Sequence, residues 1–370
     1  MNNDRYQRHS LIDWFSQDVV KTSSFAVIGC GAVGNEVAKN LALLGVGRID
    51  LYDFDKIEIH NLTRSVLFRE SDVGFYKADV AGKRIKDLDP NIEVNTYNGN
   101  FWDLLSLDQA KSYSGVICCV DNFEARIKLN QICLITGTNF INTGIDSKFG
   151  QIEVFPFGAG KHAACYECNL PNTVYERMQN RYSCGWLKKI SFIERKIPTT
   201  IVTSSLTGSL AVANALNLLR DVQHDAKRIM IDTFTGSSTV SIMERSAACP
   251  ACASLGNDIS IMQCGAKINS QFSLPTNKDI HVITSDPILV SYRCTECNPD
   301  ELDATIVFQR AAKYDSSFAI CKTCMNESVD ITIKDIFSID ELLSNFLGLD
   351  IPSKFIRYDN ENLTTIIEVE

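Results

Sequence analysis

One stretch constrains this 370-residue chain more than any other: GCGAVGNEVAKNLALLGVGRIDLYDFD, residues 29–55. The apolar run SFAVI leads into it. Gly29 permits a tight turn, Gly31 lets a phosphate approach the backbone, and Gly34 lets the following helix pack closely on the strand. Val37, Leu41 and Leu44 then share one helical face, and Gly45 supplies a C-terminal stop. RIDLY returns as a second apolar run. Strand, glycine turn, helix and strand in succession make a βαβ unit with parallel strands and a right-handed crossover. Asp53 ends the second strand, where a carboxylate can bond ribose hydroxyls. The glycine run by itself serves NAD and ATP equally well.

The same alternation continues. IEVNTY (92–97), SGVICCVD (114–121) and NFINTGID (139–146) read as strands, with a helix from Asn122 to about residue 135 between the last two. This predicts an α/β fold with a doubly wound, Rossmann-like sheet. SLIDWFSQDVV (10–20) has helical spacing, with Ser10 as its cap. Residues 170–197 show no period and are rich in polar residues, as an irregular crossover segment would be. LTGSLAVANALNLLRDV then reads as a helix with many small residues on its surface, and RIMIDTFTGSSTVSIME as two strands. After residue 285 short strands such as DATIVFQ and TTIIEVE mark a new unit. The expected division is 1–284 and 285–370, the second being a small zinc-binding module.

Composition excludes several classes. A formal net charge of −9 without a basic block argues against a nucleic-acid partner. No apolar run approaches the roughly 20 residues of a membrane span. The polar start MNNDRYQRHS lacks a signal-peptide core, so the expected location is cytoplasmic. In that compartment the 14 cysteines point to metal ligands and thiols rather than disulfides.

Eight of them form four CxxC motifs: Cys165/Cys168, Cys249/Cys252, Cys294/Cys297 and Cys321/Cys324. A CxxC turn presents two thiolates to one side of a metal, and two turns complete a tetrahedral zinc site. Pairing in sequence order gives two zinc sites. With no open position and no histidine, both are structural. A redox role is the competing reading, but such motifs rarely come as pairs of pairs.

Beyond the glycine turn lie residues that NAD does not need. Asp55 follows Asp53 by two. Asn61 and Arg64 sit three apart in HNLTR, on one face of a helical turn. Lys77 opens another helix. Arg64 and Lys77 would set two cations against a polyphosphate and stabilise departing pyrophosphate. Asp121, ending a strand in VICCVDNFEAR, could hold magnesium. It could equally cap the next helix, with Glu124 completing a capping box.

This order resembles the ubiquitin-activating-enzyme superfamily of adenylating proteins, the ThiF/MoeB/HesA type. The resemblance spans residues 4–255 and rests on Arg5-Tyr6-x-Arg8-His9, GCGAVG, DFDKIEIHNLTR, the Lys77 segment, VDNFEAR, CYEC and CPAC. It implies ATP and magnesium as cofactors and the C-terminal carboxylate of a ubiquitin-like protein or a peptide as substrate. By it Asp53 binds ribose, Asn61, Arg64 and Lys77 bind phosphates, and Asp121 supports magnesium. Arg8 would reach the nucleotide of the partner subunit in a homodimer. An ionised carboxylate needs no general base to attack the α-phosphorus, so positioning and charge neutralisation suffice. Many members then pass the acyl group to their own cysteine. Here Cys184, in QNRYSCGWLKK beside Arg181, Lys188 and Lys189, is the candidate. The usual Pro-Thr element is present as FIERKIPTT, but without a cysteine before it. By analogy the C-terminal module would recruit a conjugating enzyme; a cap that stabilises the fold is the plainer reading. A nicotinamide dehydrogenase is the alternative of a different class, and a catalytically silent scaffold is a third.

Overall fold

A computed structural model describes residues 5–159, 163–175, 198–220, 222–256, 258–264, 280–298, 300, 304–313, 320–326, 328–346, 350–360 and 363–369. The chain divides into two compact units, Met1–Leu170 with Lys196–Ala253, and Pro171–Arg195 with Ser254–Glu370.

The first unit is built on an eight-stranded sheet of order β3-β2-β1-β4-β5-β6-β7-β8. Its strands are β1 (Ser24–Ile28), β2 (Arg48–Tyr52), β3 (Glu93–Tyr97), β4 (Gly115–Cys118), β5 (Phe140–Ile145), β6 (Phe149–Phe155), β7 (Lys227–Asp232) and β8 (Ser238–Ile242). β3, β2, β1, β4 and β5 run parallel, and β6 to β8 add on antiparallel. Strand order reverses between β1 and β4. That switch point is where an open α/β sheet leaves a crevice at its carboxyl ends.

The helices are α1 (Gln17–Thr22), α2 (Ala32–Leu44), α3 (Lys77–Leu88), α4 (Phe101–Leu104), α5 (Leu107–Lys111), α6 (Phe123–Thr136) and α7 (Ile201–Asn217). Phe25, Val27, Ile49, Leu51, Ile117 and Ile141 of the sheet form one core with Val37 and Leu41 of α2 and Ala211 and Ala215 of α7. α7 begins five residues before the expected point because Thr200 caps it, accepting from Thr203 N. Ser209 and Ala213 stay exposed, but most of its small residues are buried, with Thr203, Ser204, Thr207, Gly208, Ala211 and Ala215 facing inward. They let α7 lie close to α2, where a Cβ on Gly208 would stand 2.6 Å from the Glu36 Cβ. Ser205 donates to the buried Glu36 carboxylate at 2.8 Å.

The expected helix over 10–20 is shorter. His9–Leu11 form a 3₁₀ turn, and α1 starts at Gln17 under Ser16, not Ser10, as cap. Leu11 and Trp14 are exposed, so no apolar face holds a longer helix together.

The second unit carries a six-stranded sheet, β11-β10-β13-β14-β9 with β12 also paired to β10. Its strands are β9 (Asp258–Cys264), β10 (His281–Cys294), β11 (Thr305–Arg310), β12 (Val329–Ser338), β13 (Phe355–Asn360) and β14 (Leu363–Val369), with α8 at Ile339–Phe346. Val282, Ile288, Phe337, Leu342, Phe346, Ile356 and Ile367 form its core. β9 pairs with β14 over its whole length, so residues 258–264 fall in this unit rather than before a boundary at 284.

Candidate functional site

At the switch point the glycine loop runs from β1 into α2. Gly29 has φ +91°, a left-handed value that glycine adopts without strain, and its N–H donates to Tyr52 O at 2.8 Å. A Cβ on Gly34 would sit 1.9 Å from Gly29 O, so helix and loop can meet only over glycine. Gly31 differs: a Cβ there would meet nothing within 4 Å. The backbone is open at that point, a cradle that a phosphate can occupy and a side chain would fill.

Asn35, fully buried on α2, ties the loop down. Its amide donates to Cys30 O at 2.7 Å and Gly31 O at 3.0 Å, and its oxygen accepts from Leu67 N at 2.9 Å. Sequence reasoning missed it; the only signal was an amide inside an otherwise apolar helical face.

Asp53 ends β2 as expected. One of its oxygens accepts from Cys30 N at 2.6 Å and the other from Asp55 N at 2.7 Å. Each oxygen keeps a lone pair for a further donor such as a ribose hydroxyl. Burial pushes its pKa above the usual carboxylate value, with Lys77 and the two N–H donors opposing the shift. The Cys30 thiol is buried and pushed up by that burial and by Asp53, which leaves it an inert packing group. Lys77, the first residue of α3, pairs with Asp55 at 2.7 Å, and its N–H donates to Asp55 O at 3.0 Å. Asp55 therefore holds the lysine beside Asp53.

Asn61 and Arg64 lie at a 3₁₀ turn, Ile59–Thr63. Asn61 accepts from Glu58 N at 2.9 Å, and the Arg64 guanidinium donates to His60 O at 2.9 Å. Asp121 is exposed just beyond β4 and makes no hydrogen bond or ion pair to a described residue. The helix cap expected of it belongs to Asn122, which accepts from Ala125 N at 2.9 Å. Asp121 is thereby left to face outward. Arg8 is exposed at the start of the 3₁₀ turn. Tyr6, close to it in the chain, donates to Asp89, which Arg5 also meets at 3.2 Å. Cys184, with Arg181, Lys188 and Lys189, lies outside the described residues.

The cysteines converge in two quartets. Cys165, Cys168, Cys249 and Cys252 have all four sulfurs within 4.8 Å of one another, as do Cys294, Cys297, Cys321 and Cys324. Neighbouring sulfurs are 3.5, 3.9 and 3.4 Å apart in the first quartet and 3.7 and 3.9 Å apart in the second. Tetrahedral zinc with Zn–S bonds of about 2.3 Å requires sulfur separations of about 3.8 Å, far from bonded disulfide sulfurs. Both quartets can hold zinc.

The ThiF family model matches residues 5–253. The chain belongs to the ThiF family. The match ends where the second unit's main segment begins, so Ser254–Glu370 lies beyond what this chain shares with the ThiF family. Ubiquitin-like modifier-activating enzyme 5 of Oryza sativa subsp. japonica is 31% identical over 228 residues, 58% of this chain and 51% of that protein. The sulfur carrier protein adenylyltransferase of Thermus thermophilus is 28% identical over 256 residues, 67% of this chain and 90% of that protein. The chain thus spans about half the length of the activating-enzyme relatives it matches. Among solved structures, E. coli MccB with ATP has a TM-score of 0.55 at 25% identity, covering 68% of this chain and 74% of that one. MccB with succinimide gives 0.57 at 26%, with the same coverage. No helix among the described residues is long and apolar enough to cross a membrane.

Proposed function

We propose that the chain is an ATP-dependent activating enzyme that adenylates the C-terminal carboxylate of a ubiquitin-like protein. The open cradle at Gly31, flanked by Asp53 and the Asp55-held Lys77, carries this reading within the ThiF frame. Asp53 binds the ribose, and Asn61, Arg64 and Lys77 take the phosphates. Asp121, free of the helix-cap role, supports magnesium, whose positive charge offsets the polyphosphate. The substrate carboxylate, already ionised near neutrality, bonds to the α-phosphorus, and pyrophosphate leaves toward the cations. What the chain supplies is alignment and positive charge.

In this reading Arg8 completes the nucleotide site of the partner subunit in a homodimer. Both cysteine quartets carry structural zinc, and the enzyme works in the cytoplasm. The Cys184 thiol displaces AMP from the acyl-adenylate and carries the acyl group as a thioester, and the second unit serves a conjugating enzyme. An adenylation-only role on a sulfur-carrier protein or a short peptide is the second reading. It is favoured by the Thermus relative, 90% of which aligns, against 51% of the rice enzyme.

Hydroxylamine trapping tests the chemistry. Enzyme, ATP, magnesium and a carboxyl-ended candidate protein should release AMP and leave a hydroxamate on the substrate; no hydroxamate with any candidate contradicts it. Non-reducing gels separate the two readings. A reducible enzyme–substrate conjugate that disappears in Cys184→Ala supports the thioester, and a conjugate that survives Cys184→Ala rules it out.

A further inference from the structure

Glu153 is a carboxylate buried on β6, 1% exposed, for which the nucleotide chemistry has no direct use. One of its oxygens accepts from Arg228 Nε at 2.9 Å, with a second Arg228 nitrogen at 2.7 Å. Its other oxygen accepts from the Asn142 amide nitrogen at 2.7 Å. Asn142, 2% exposed on β5, turns its oxygen to Arg126, which donates at 2.5 Å. The same guanidinium donates to Thr143 O, and through its other terminal nitrogen to Val120 O at 2.5 Å. Val120 immediately precedes Asp121.

The chain of bonds has a direction. A carboxylate can only accept, so Glu153 must face the donor end of the Asn142 amide. That leaves the oxygen, and only the oxygen, for Arg126. A flipped amide would set its N–H₂ against the guanidinium and its oxygen against the carboxylate, two repulsive contacts in a buried place. Arg228 engages one Glu153 oxygen, and the other oxygen fixes the amide. Arg126 is thus locked across the ends of β4 and β5, and the backbone carbonyl beside Asp121 is held in place.

We propose that Glu153 is a positioning residue for the Asp121 loop, acting through Asn142 and Arg126. The proposal rests on the reading that Asp121 supports magnesium beside ATP. Outer partners of this kind change metal affinity by about tenfold or more when lost.

The test is calorimetric titration of the full-length chain with ATP, once with magnesium and once with EDTA. Wild type should bind ATP more tightly with magnesium. Glu153→Gln keeps the shape but lets the Asn142 amide turn, so it should lose most of that gain, about tenfold, while its affinity in EDTA stays near wild type. Arg126→Lys keeps the charge but cannot span three oxygens and should behave likewise. A general loosening of the fold would weaken both titrations alike, and melting curves check for it independently. If Glu153→Gln fails to fold, Arg126→Lys and Arg228→Met read the same network from its other ends. A full magnesium gain in Glu153→Gln and Arg126→Lys overturns the proposal. Wild-type ATP binding without any magnesium gain removes the Asp121 reading and the proposal with it. Absence of ATP binding in wild type is a different failure, that of the nucleotide site itself.

Discussion

Gly31 and Gly34 stand three residues apart and are glycines for opposite reasons. At Gly34 a methyl group would collide with Gly29 O at 1.9 Å, so Gly34→Ala should lower stability by about 3 kcal/mol or more. At Gly31 the space is empty and φ is −74°, outside the left-handed region. Gly31→Ala should therefore melt like wild type and bind ATP at least about tenfold more weakly, since the methyl takes the place of a phosphate. Melting curves beside ATP titrations check the contrast; equal effects in both assays for both variants contradict it. Asp89 gives a pH prediction. Burial alone would raise its pKa, but the Tyr6 hydroxyl, Asn91 and the Arg5 charge outweigh this and hold it below the usual value. The ionised form is favoured by folding, so its contribution is complete above the unfolded value of about 3.9. It is lost as pH falls through the lower folded value. Asp89→Asn should flatten the acid limb of the melting temperature against pH, and an unchanged limb would argue against the clamp. The places of Asp53 and Lys77 in the fold were legible because a strand end and a helix start are written in the local pattern. Asn35, Asn142 and Glu153 were not, because what matters is which amide or carboxylate meets which across distant segments.

At the scale of elements, β1 and β4 could be read because they lie inside the parallel part of the sheet, buried and apolar almost throughout, whereas β3, half-exposed at the edge, was legible from its alternation. α7 was read with its small residues outward, since composition does not say which face a helix buries. Its packing on α2 yields a direct test. Gly208→Ala puts a Cβ 2.6 Å from that of Glu36 and should cost about 1–3 kcal/mol of stability. Denaturant unfolding measures it, and an unaffected midpoint would mean that the helices can move apart. The capping role left open for Asp121 falls to Asn122, one residue on, because both are good caps and only the turn geometry selects between them. In the second unit β10 was missed. It carries Pro287 and shifts register between Ile283 and Ile288, which breaks the alternation that marks a strand.

For the whole molecule, the two units have separate sheets and separate cysteine quartets, and the family resemblance stops at residue 253. Replacing Cys294 and Cys297 together by serine should destabilise the second unit and abolish zinc binding at that quartet, while ATP affinity stays unchanged. Zinc analysis with ATP titration reads both, and a parallel loss of ATP affinity would tie the second quartet to nucleotide binding. In the function proposed above, the first unit activates a carboxylate with ATP. ATP–pyrophosphate exchange measures that step directly, using ubiquitin-like proteins, sulfur-carrier proteins and short peptides with free C-termini. Exchange should occur with one of these classes, require its free carboxylate, and fall at least about a hundredfold in Arg64→Ala, a loss typical when one transition-state contact is removed. Absence of exchange with every class, together with tight binding of NADH, would contradict the account.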